Sequence, residues 1–352
     1  MEKNNCSGCG ACIHCNLCMN ICPMNERESN KLDNSELFSA YSTDNLIREK
    51  SSSGGIGYLL AELALKNNFK VCGVTYNYQK NEAEHIIINH LEDLYLIQGS
   101  KYLQSNTVIL QEVINMCRAD RSCKVIIFGT PCQISGLREV ANLYKLNNQL
   151  VLVDIFCHGV PSYYLWKKYL AWLSKKVLKK EKINSICFRD KKYSWHEYYM
   201  HIKTENKEYI CSRDKDPFLK LFSLGCLNQR ECFACQYRNK SQADIRLGDY
   251  WGERYKGSEK GYSMVLVNTL KGKKVIEELQ LRSHNQIIME KMPIKDRLSQ
   301  QHEDYLIPRF YEASFEMLLD NEKMSKIVNL NDPFLFRVKR KLKEKIKKVI
   351  KK

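Results

Sequence analysis

Hydrophobic and polar positions alternate along this chain in two distinct rhythms. Residues 51–67 open on serines and glycines and continue with Leu59, Leu60, Leu63 and Ala64 at helical spacing, a capped amphipathic helix. Residues 70–77 and 85–90 are rich in Val, Ile and Tyr and read as strands. A helix is predicted over 106–118, a short buried strand over 124–128, and a helix after the Gly129-Thr-Pro-Cys-Gln turn to about residue 145. Residues 150–156 form another buried strand, followed by a turn and a helix from Tyr163. Strand–helix alternation of this kind predicts α/β layers. The second half is richer in strands. Residues 183–189, 198–204 and 208–211 alternate as antiparallel strands do, 243–247 and 264–268 read as buried strands, and 217–224 and 271–282 as helices.

This pattern divides the chain into a cysteine-rich head (1–30), a polar linker (31–50), an N-terminal α/β lobe (51–180), a C-terminal lobe with a second group of cysteines (181–330) and a basic amphipathic tail (331–352). Hydrophobic residues make up 44% and charged residues 27%, which excludes wholesale disorder. No run of about 18 apolar residues occurs, so no membrane span is expected. The first residues carry cysteines where a secretory signal would carry an apolar core, so no signal is expected either.

The 16 cysteines change the picture most. Six of them lie between positions 6 and 22, too closely spaced to pair with one another but well placed to surround a metal. The expectation is a reducing, cytoplasmic compartment and metal-bound thiolates. Cys12-x2-Cys15-x2-Cys18-x3-Cys22-Pro23 is the bacterial ferredoxin run, whose closely spaced thiolates face one cubane. Cys6 and Cys9 extend it upstream, as if two runs were merged, so one 4Fe-4S cluster is expected. Its four ligands are Cys12, Cys15, Cys18 and Cys22, or Cys6, Cys9 and Cys12 with Cys22. A second group, Cys226-x5-Cys232-x2-Cys235, suits zinc or three corners of another cubane. Cys132 and Cys157 are candidates for a fourth ligand, since both follow predicted buried strands. Cys72, Cys117, Cys123, Cys187 and Cys211 read as small buried hydrophobes.

Net charge is +16, of which +9 falls in residues 337–352. The body is therefore only mildly basic, and nucleic-acid binding is not expected. In the tail, Leu335, Val338, Leu342, Ile346 and Val349 fall three and four apart among lysines, a stripe suited to peripheral contact with an anionic membrane. The glycine-rich turn at 51–57 offers free N–H groups at a helix start, which suit a phosphate.

Six motifs occur in order: Ser53-Gly-Gly55, Gly99-Ser-Lys-Tyr102, Gly129-Thr-Pro-Cys-Gln133, Cys157-His-Gly-Val-Pro161, Phe188-Arg189 and Asp244-Ile-x-x-Gly-Asp-x-Trp-Gly252. With Cys232-x2-Cys235 they resemble the beta subunits of coenzyme F420 hydrogenase and dehydrogenase, and most nearly the bacterial branch associated with polysaccharide biosynthesis, in which a ferredoxin head precedes a flavoprotein body. The resemblance spans about residues 5–310. It implies a ferredoxin-like head before a two-lobed α/β flavoprotein body with a mixed sheet, binding FAD and a body 4Fe-4S cluster. It also implies cluster ligation by Cys226, Cys232 and Cys235 with Cys132 or Cys157, and flavin contacts at Ser53, Gly54, Gly55 and Lys101.

The activity so implied is that of an iron-sulfur, flavin-dependent oxidoreductase, passing electrons between a ferredoxin-like donor, the clusters and FAD, to or from a small or sugar-linked substrate. His158, the sole histidine in these motifs, is the candidate proton donor. Homo-oligomers are compatible with this reading. The rival readings are a non-catalytic electron-transfer subunit of a larger complex and a zinc-bearing nucleic-acid-binding protein.

Overall fold

The computed structural model describes residues 22, 35–282, 285–300 and 306–331. The chain begins with β1 (Glu36–Ser42), α1 (Asn45–Lys50), α2 (Ile56–Lys66), β2 (Lys70–Asn77) and β3 (Glu82–Ile88). It continues through α3 (Ile109–Ala119), β4 (Val125–Phe128), α4 (Pro131–Leu143), β5 (Leu150–Ile155) and α5 (Tyr163–Leu173). Then follow β6 (Ser185–Asp190), β7 (Tyr199–Lys203), β8 (Glu208–Ser212), α6 (Pro217–Ser223), β9 (Ile245–Asp249), β10 (Ser263–Val267), α7 (Leu270–Arg282), β11 (Ile287–Met292), α8 (Tyr311–Leu319) and α9 (Met324–Asn331).

Eight strands form one mixed sheet in the order β11-β1-β10-β9-β5-β4-β2-β3. Its centre, β2-β4-β5-β9, is parallel, and antiparallel partners extend it on both sides. The sequence of β4, Val-Ile-Ile-Phe, shows why the centre is continuously apolar. Val125 and Ile127 pack on one face against Val113 and Ile114 of α3 and Ile134, Leu137 and Ala141 of α4. Ile126 faces the other way, against Leu59, Leu60 and Leu63 of α2. A period of two with both faces covered leaves no polar position in such a strand. Each of these side chains contributes about 1.5–3 kcal/mol by burial.

The connection from β5 to β9 is long, and it carries a second unit. Within it, β6, β7 and β8 form a three-stranded antiparallel sheet. That unit has its own core around Trp166, Tyr169, Phe188, Met200, Ile202 and Phe218, closed by Leu318, Met324 and Ile327 from α8 and α9.

The α/β class and mixed sheet agree with the sequence reading. Two expectations change. The stretch 31–50 is not a plain linker: β1 lies inside the large sheet between β10 and β11, and α1 follows it. Its buried Ser39 and Ser42 gave it a polar look. A lobe boundary near 180 does not divide the sheet, because β9 pairs in parallel with β5 at Val153–Ile245 and brings β10 and β11 with it. The small sheet is thus an insertion in one α/β body. Strand β11 and helices α8 and α9 were also unforeseen. Cys6, Cys9, Cys12, Cys15, Cys18 and the basic stripe at 335–349 lie outside the described residues; Cys22 is half-buried. No helix among the described residues is long and apolar enough to cross a membrane.

Candidate functional site

Parallel strands expose their carboxyl ends at one edge of the sheet, where ligands of open α/β sheets bind. Two candidate cysteines follow such ends directly. Cys132 lies in the first turn of α4, which is fixed by a capping box between Thr130 and Gln133. Cys157 lies just past β5. The small unit contributes the other two. Arg230–Cys232 is a short 3-10 turn, and Cys235 follows one further turn on. Cys132, Cys157, Cys232 and Cys235 line one pocket with Gln104, Pro131, Val160 and Arg238; its empty space, mouth included, is about 380 Å³.

Backbone pairing holds the two cysteine segments together. Gln229 N donates to Val160 O at 2.9 Å, and Ser162 N donates to Leu227 O at 2.9 Å. Gly159 permits the approach. Its φ is +101°, and a Cβ there would lie 2.7 Å from Asn228 Nδ2 and 3.3 Å from Cys232 Cβ. Polar groups already face two of the sulfurs: Gly159 N donates to Cys157 Sγ at 3.4 Å, and Thr130 Oγ1, which donates to Gln133 Oε1 at 3.0 Å, lies 3.2 Å from Cys132 Sγ.

Burial pushes the Cys157 thiol up to about 12, with Cys132, Cys232 and Cys235 adding to the effect. Burial likewise raises Cys132, and it raises Cys232 to about 11. Thiolates crowded in this way need a cation to stay charged, and a metal centre supplies one. No group of three or more His, Cys, Asp or Glu side chains among the described residues is arranged to hold a single metal ion. Four cysteines lining one pocket could instead hold an iron-sulfur cluster, in which each sulfur binds a different iron.

Cys226, expected in this set, is not among the pocket-lining residues. It is 3% exposed in the apolar core with Leu221 and Leu227, and burial pushes its thiol up to about 12. Such a thiol behaves as a small hydrophobe. Of the cysteines read as buried hydrophobes, Cys72 and Cys117 are buried, Cys123 and Cys211 half-buried, and Cys187 exposed.

Elsewhere in the body, two polar turns meet. Ser52 Oγ and Ser100 Oγ are 2.7 Å apart, and Ser100 N donates to Ser52 Oγ at 2.8 Å. The amine of Lys101 donates to Gln98 O at 2.9 Å, and burial lowers it to about 7. Cys187 of β6 lies within electrostatic reach of Lys101, and burial raises its thiol. A register irregularity between Cys187 and Asp190 allows both Phe188 and Arg189 to be buried. Lys191 donates to Arg48 O at 2.6 Å, Ser53 O at 2.8 Å and Lys260 O at 2.8 Å. Burial, with Arg189 and Arg48 nearby, lowers it to about 7.

Burial works against the Arg189 cation too, but Asp249 outweighs it and holds it charged. Arg189 Nη1 donates to Asp249 Oδ2 at 2.7 Å, while Nε and Nη2 are buried without a hydrogen-bond partner among the described residues. Asp190 is engaged with His201. Arg48, Lys101, Arg189 and Lys191 thus form a linked cationic group with Asp249 as its carboxylate partner.

The expected flavin contacts have structural duties in this region. Ser53 Oγ donates to Tyr262 O at 2.5 Å, and Gly54 N donates to Ser263 Oγ at 3.0 Å. Gly55 caps α2 with a φ of +89°. His158 is exposed beside the pocket, and its carbonyl accepts from Asn228 Nδ2 at 3.3 Å and Arg238 Nη2 at 3.4 Å. Sequence reasoning missed Arg48 and Lys191. A lysine two residues beyond the Phe188-Arg189 motif was a usable signal; Arg48, in the supposed linker, offered none.

Residues 123–292 match the family described as the C terminus of the coenzyme F420 hydrogenase/dehydrogenase beta subunit. The coenzyme F420-dependent sulfite reductase of Methanocaldococcus jannaschii is 25% identical over 213 residues, which cover 56% of this chain and 30% of the relative. The chain therefore spans under a third of that relative's length. The F420-reducing [NiFe] hydrogenase complex from Methanosarcina barkeri, in a xenon-derivatised structure, contains a chain with 19% identity and a TM-score of 0.49, covering 83% of this chain and 90% of that one. From residue 123 to residue 292, which includes all four pocket cysteines, the chain is similar to the C-terminal part of coenzyme F420 hydrogenase/dehydrogenase beta subunits.

Proposed function

We propose that this protein is an iron-sulfur oxidoreductase that moves electrons between a 4Fe-4S cluster held by Cys132, Cys157, Cys232 and Cys235 and an anionic redox cofactor, FAD, bound beside it. The observation that carries this reading is the convergence of those four cysteines on one pocket at the carboxyl edge of the parallel strands. The names of the relatives, a hydrogenase/dehydrogenase family and a sulfite reductase, agree with redox chemistry.

When bound, the cluster supplies one-electron transfer and the flavin couples it to two-electron hydride chemistry. The chain's own residues do the remaining work. The four thiolates hold the metal centre, while the Gly159 amide donates toward Cys157 Sγ and Thr130 Oγ1 lies against Cys132 Sγ. Lys101, Arg189, Lys191 and Arg48 present cationic charge that an anionic cofactor neutralises. The turn at Ser53, Gly54 and Gly55 braces one side of that group, with the Ser53 carbonyl fixing Lys191. His158, exposed at the pocket rim, holds the proton exchanged with substrate on its ring.

The head cysteines hold a second cluster that accepts electrons from a ferredoxin-like donor, and the substrate is a small or sugar-linked molecule. Iron, acid-labile sulfide and extracted flavin, measured on anaerobically purified full-length protein, test both halves of the proposal. Zinc in place of iron, with no flavin, would refute it.

A further inference from the structure

A buried ion pair lies directly behind the cysteine pocket. Asp154 and Arg246 are register partners on the adjacent parallel strands β5 and β9. Their side chains are 0% and 2% exposed. Arg246 Nε donates to Asp154 Oδ1 at 2.8 Å, and Nη2 donates to Oδ2 at 2.7 Å. The carboxylate takes a third bond, from Ser241 Oγ at 2.9 Å.

The guanidinium does more than neutralise Asp154. Its remaining donors reach the segment that follows Cys235. Nη1 donates to Arg238 O at 3.0 Å, and the second hydrogen of Nη2 is shared between Tyr237 O at 3.1 Å and Lys240 O at 2.9 Å. Three carbonyls of one irregular loop are thus gathered onto one side chain. On the other partner, Cys157 lies three residues beyond Asp154. The pair therefore connects the strand that presents Cys157 to the loop that presents Cys235.

Two strands of a parallel sheet do not need such a pair to adhere. A buried ion pair replaced by apolar residues of similar volume is often neutral or stabilising, because desolvation offsets the attraction. What apolar residues cannot supply is a planar fork of donors aimed at three carbonyls. Its geometric effect is therefore on the loop.

We infer that Arg246, held by Asp154, is a positioning residue that fixes the Cys235 loop against Cys157 and so sets the retention and potential of the metal centre. This rests on the four-cysteine reading proposed above. The test uses the full-length, anaerobically reconstituted protein and three chains: wild type, Arg246→Lys, and the double variant Asp154→Leu/Arg246→Met, which removes both charges together. Circular dichroism and thermal unfolding report the fold; iron content, the electron paramagnetic resonance signal of the reduced protein and its midpoint potential report the site.

The expected result is a folded double variant that loses at least half of its body-cluster iron, or shows a shifted signal and potential, with Arg246→Lys intermediate. Wild-type iron, signal and potential in a folded double variant would overturn the inference. A double variant that no longer folds would also overturn it, by showing the pair to be a determinant of the sheet itself. Failure of the underlying reading is distinct: replacing Cys157 and Cys235 by Ala would then leave wild-type iron unchanged.

Discussion

Arg189, on the small sheet, donates to Asp249 at the carboxyl end of β9 across 2.7 Å, and its guanidinium lies over the rings of Tyr198 at 4.6 Å and Trp251 at 5.2 Å. One side chain thus joins the inserted unit to the main sheet. Asp249→Ala strands a buried cation. The expected loss is about 3–5 kcal/mol of stability, measured by urea unfolding. A loss under about 1 kcal/mol would show the bond to be incidental.

Gly54 illustrates a residue fixed by packing. A Cβ there would lie 2.3 Å from Ala40 O and 2.7 Å from Ser263 N, both backbone atoms of the sheet. Gly54→Ala is expected to cost about 1–3 kcal/mol or more by overpacking. Gly55→Ala is expected to cost about 1–2 kcal/mol because φ is left-handed. Thermal unfolding of cofactor-free protein checks both, since neither cost depends on a bound flavin.

Lys101 and Lys191, each lowered to about 7, make cofactor affinity depend on pH. Both amines are cationic below that value and neutral above it, so an anion binds more tightly at pH 6 than at pH 8. Lys101→Met should weaken FAD binding by about tenfold, the size of one charge-assisted contact, and reduce the pH dependence to the part that Lys191 contributes. Fluorescence titration at the two pH values reads both effects; unchanged affinity in the variant would remove Lys101 from the site.

Asp216, buried at the start of α6, accepts from Tyr169 Oη at 2.7 Å, Tyr209 Oη at 2.9 Å and Leu219 N at 2.8 Å. Burial raises it from 3.8 to about 6. The folded state therefore binds the proton more tightly than the unfolded chain, and stability from this group is fully present below about 4 and lost as pH rises through 6. The loss is on the order of 3 kcal/mol. Unfolding free energies of wild type and Asp216→Asn between pH 4 and pH 6.5 should differ in slope by this contribution. Parallel curves would contradict it.

The parallel centre of the sheet was legible because β4 is an uninterrupted apolar run and β5 is apolar except for Asp154, each between turn residues. Strand β1 was not, because Ser39 and Ser42 are buried polar residues in a short strand, and position in sequence suggested a linker. The insertion of β6–β8 was invisible for a different reason: whether β9 returns to β5 depends on pairing over some ninety residues, which no local pattern encodes. Cys132 and Cys157, read as alternative fourth ligands from their places after buried strands, both line the pocket. Cys226 lies in the apolar core and not among the residues lining the pocket, a separation that sequence spacing does not encode. The cationic group was half seen, through Lys101 and the Phe188-Arg189 motif, since Arg48 and Lys191 resemble surface charges until the fold buries them.

Iron content separates the four pocket cysteines from Cys226 and tests the central proposal most directly. Full-length wild type, Cys132→Ala/Cys235→Ala and Cys226→Ala are reconstituted anaerobically under identical conditions and assayed for iron and sulfide per folded chain. The account predicts that the double variant loses about four iron atoms relative to wild type, whereas Cys226→Ala retains all of them. Full iron in the double variant, or an equal loss in Cys226→Ala, would contradict it.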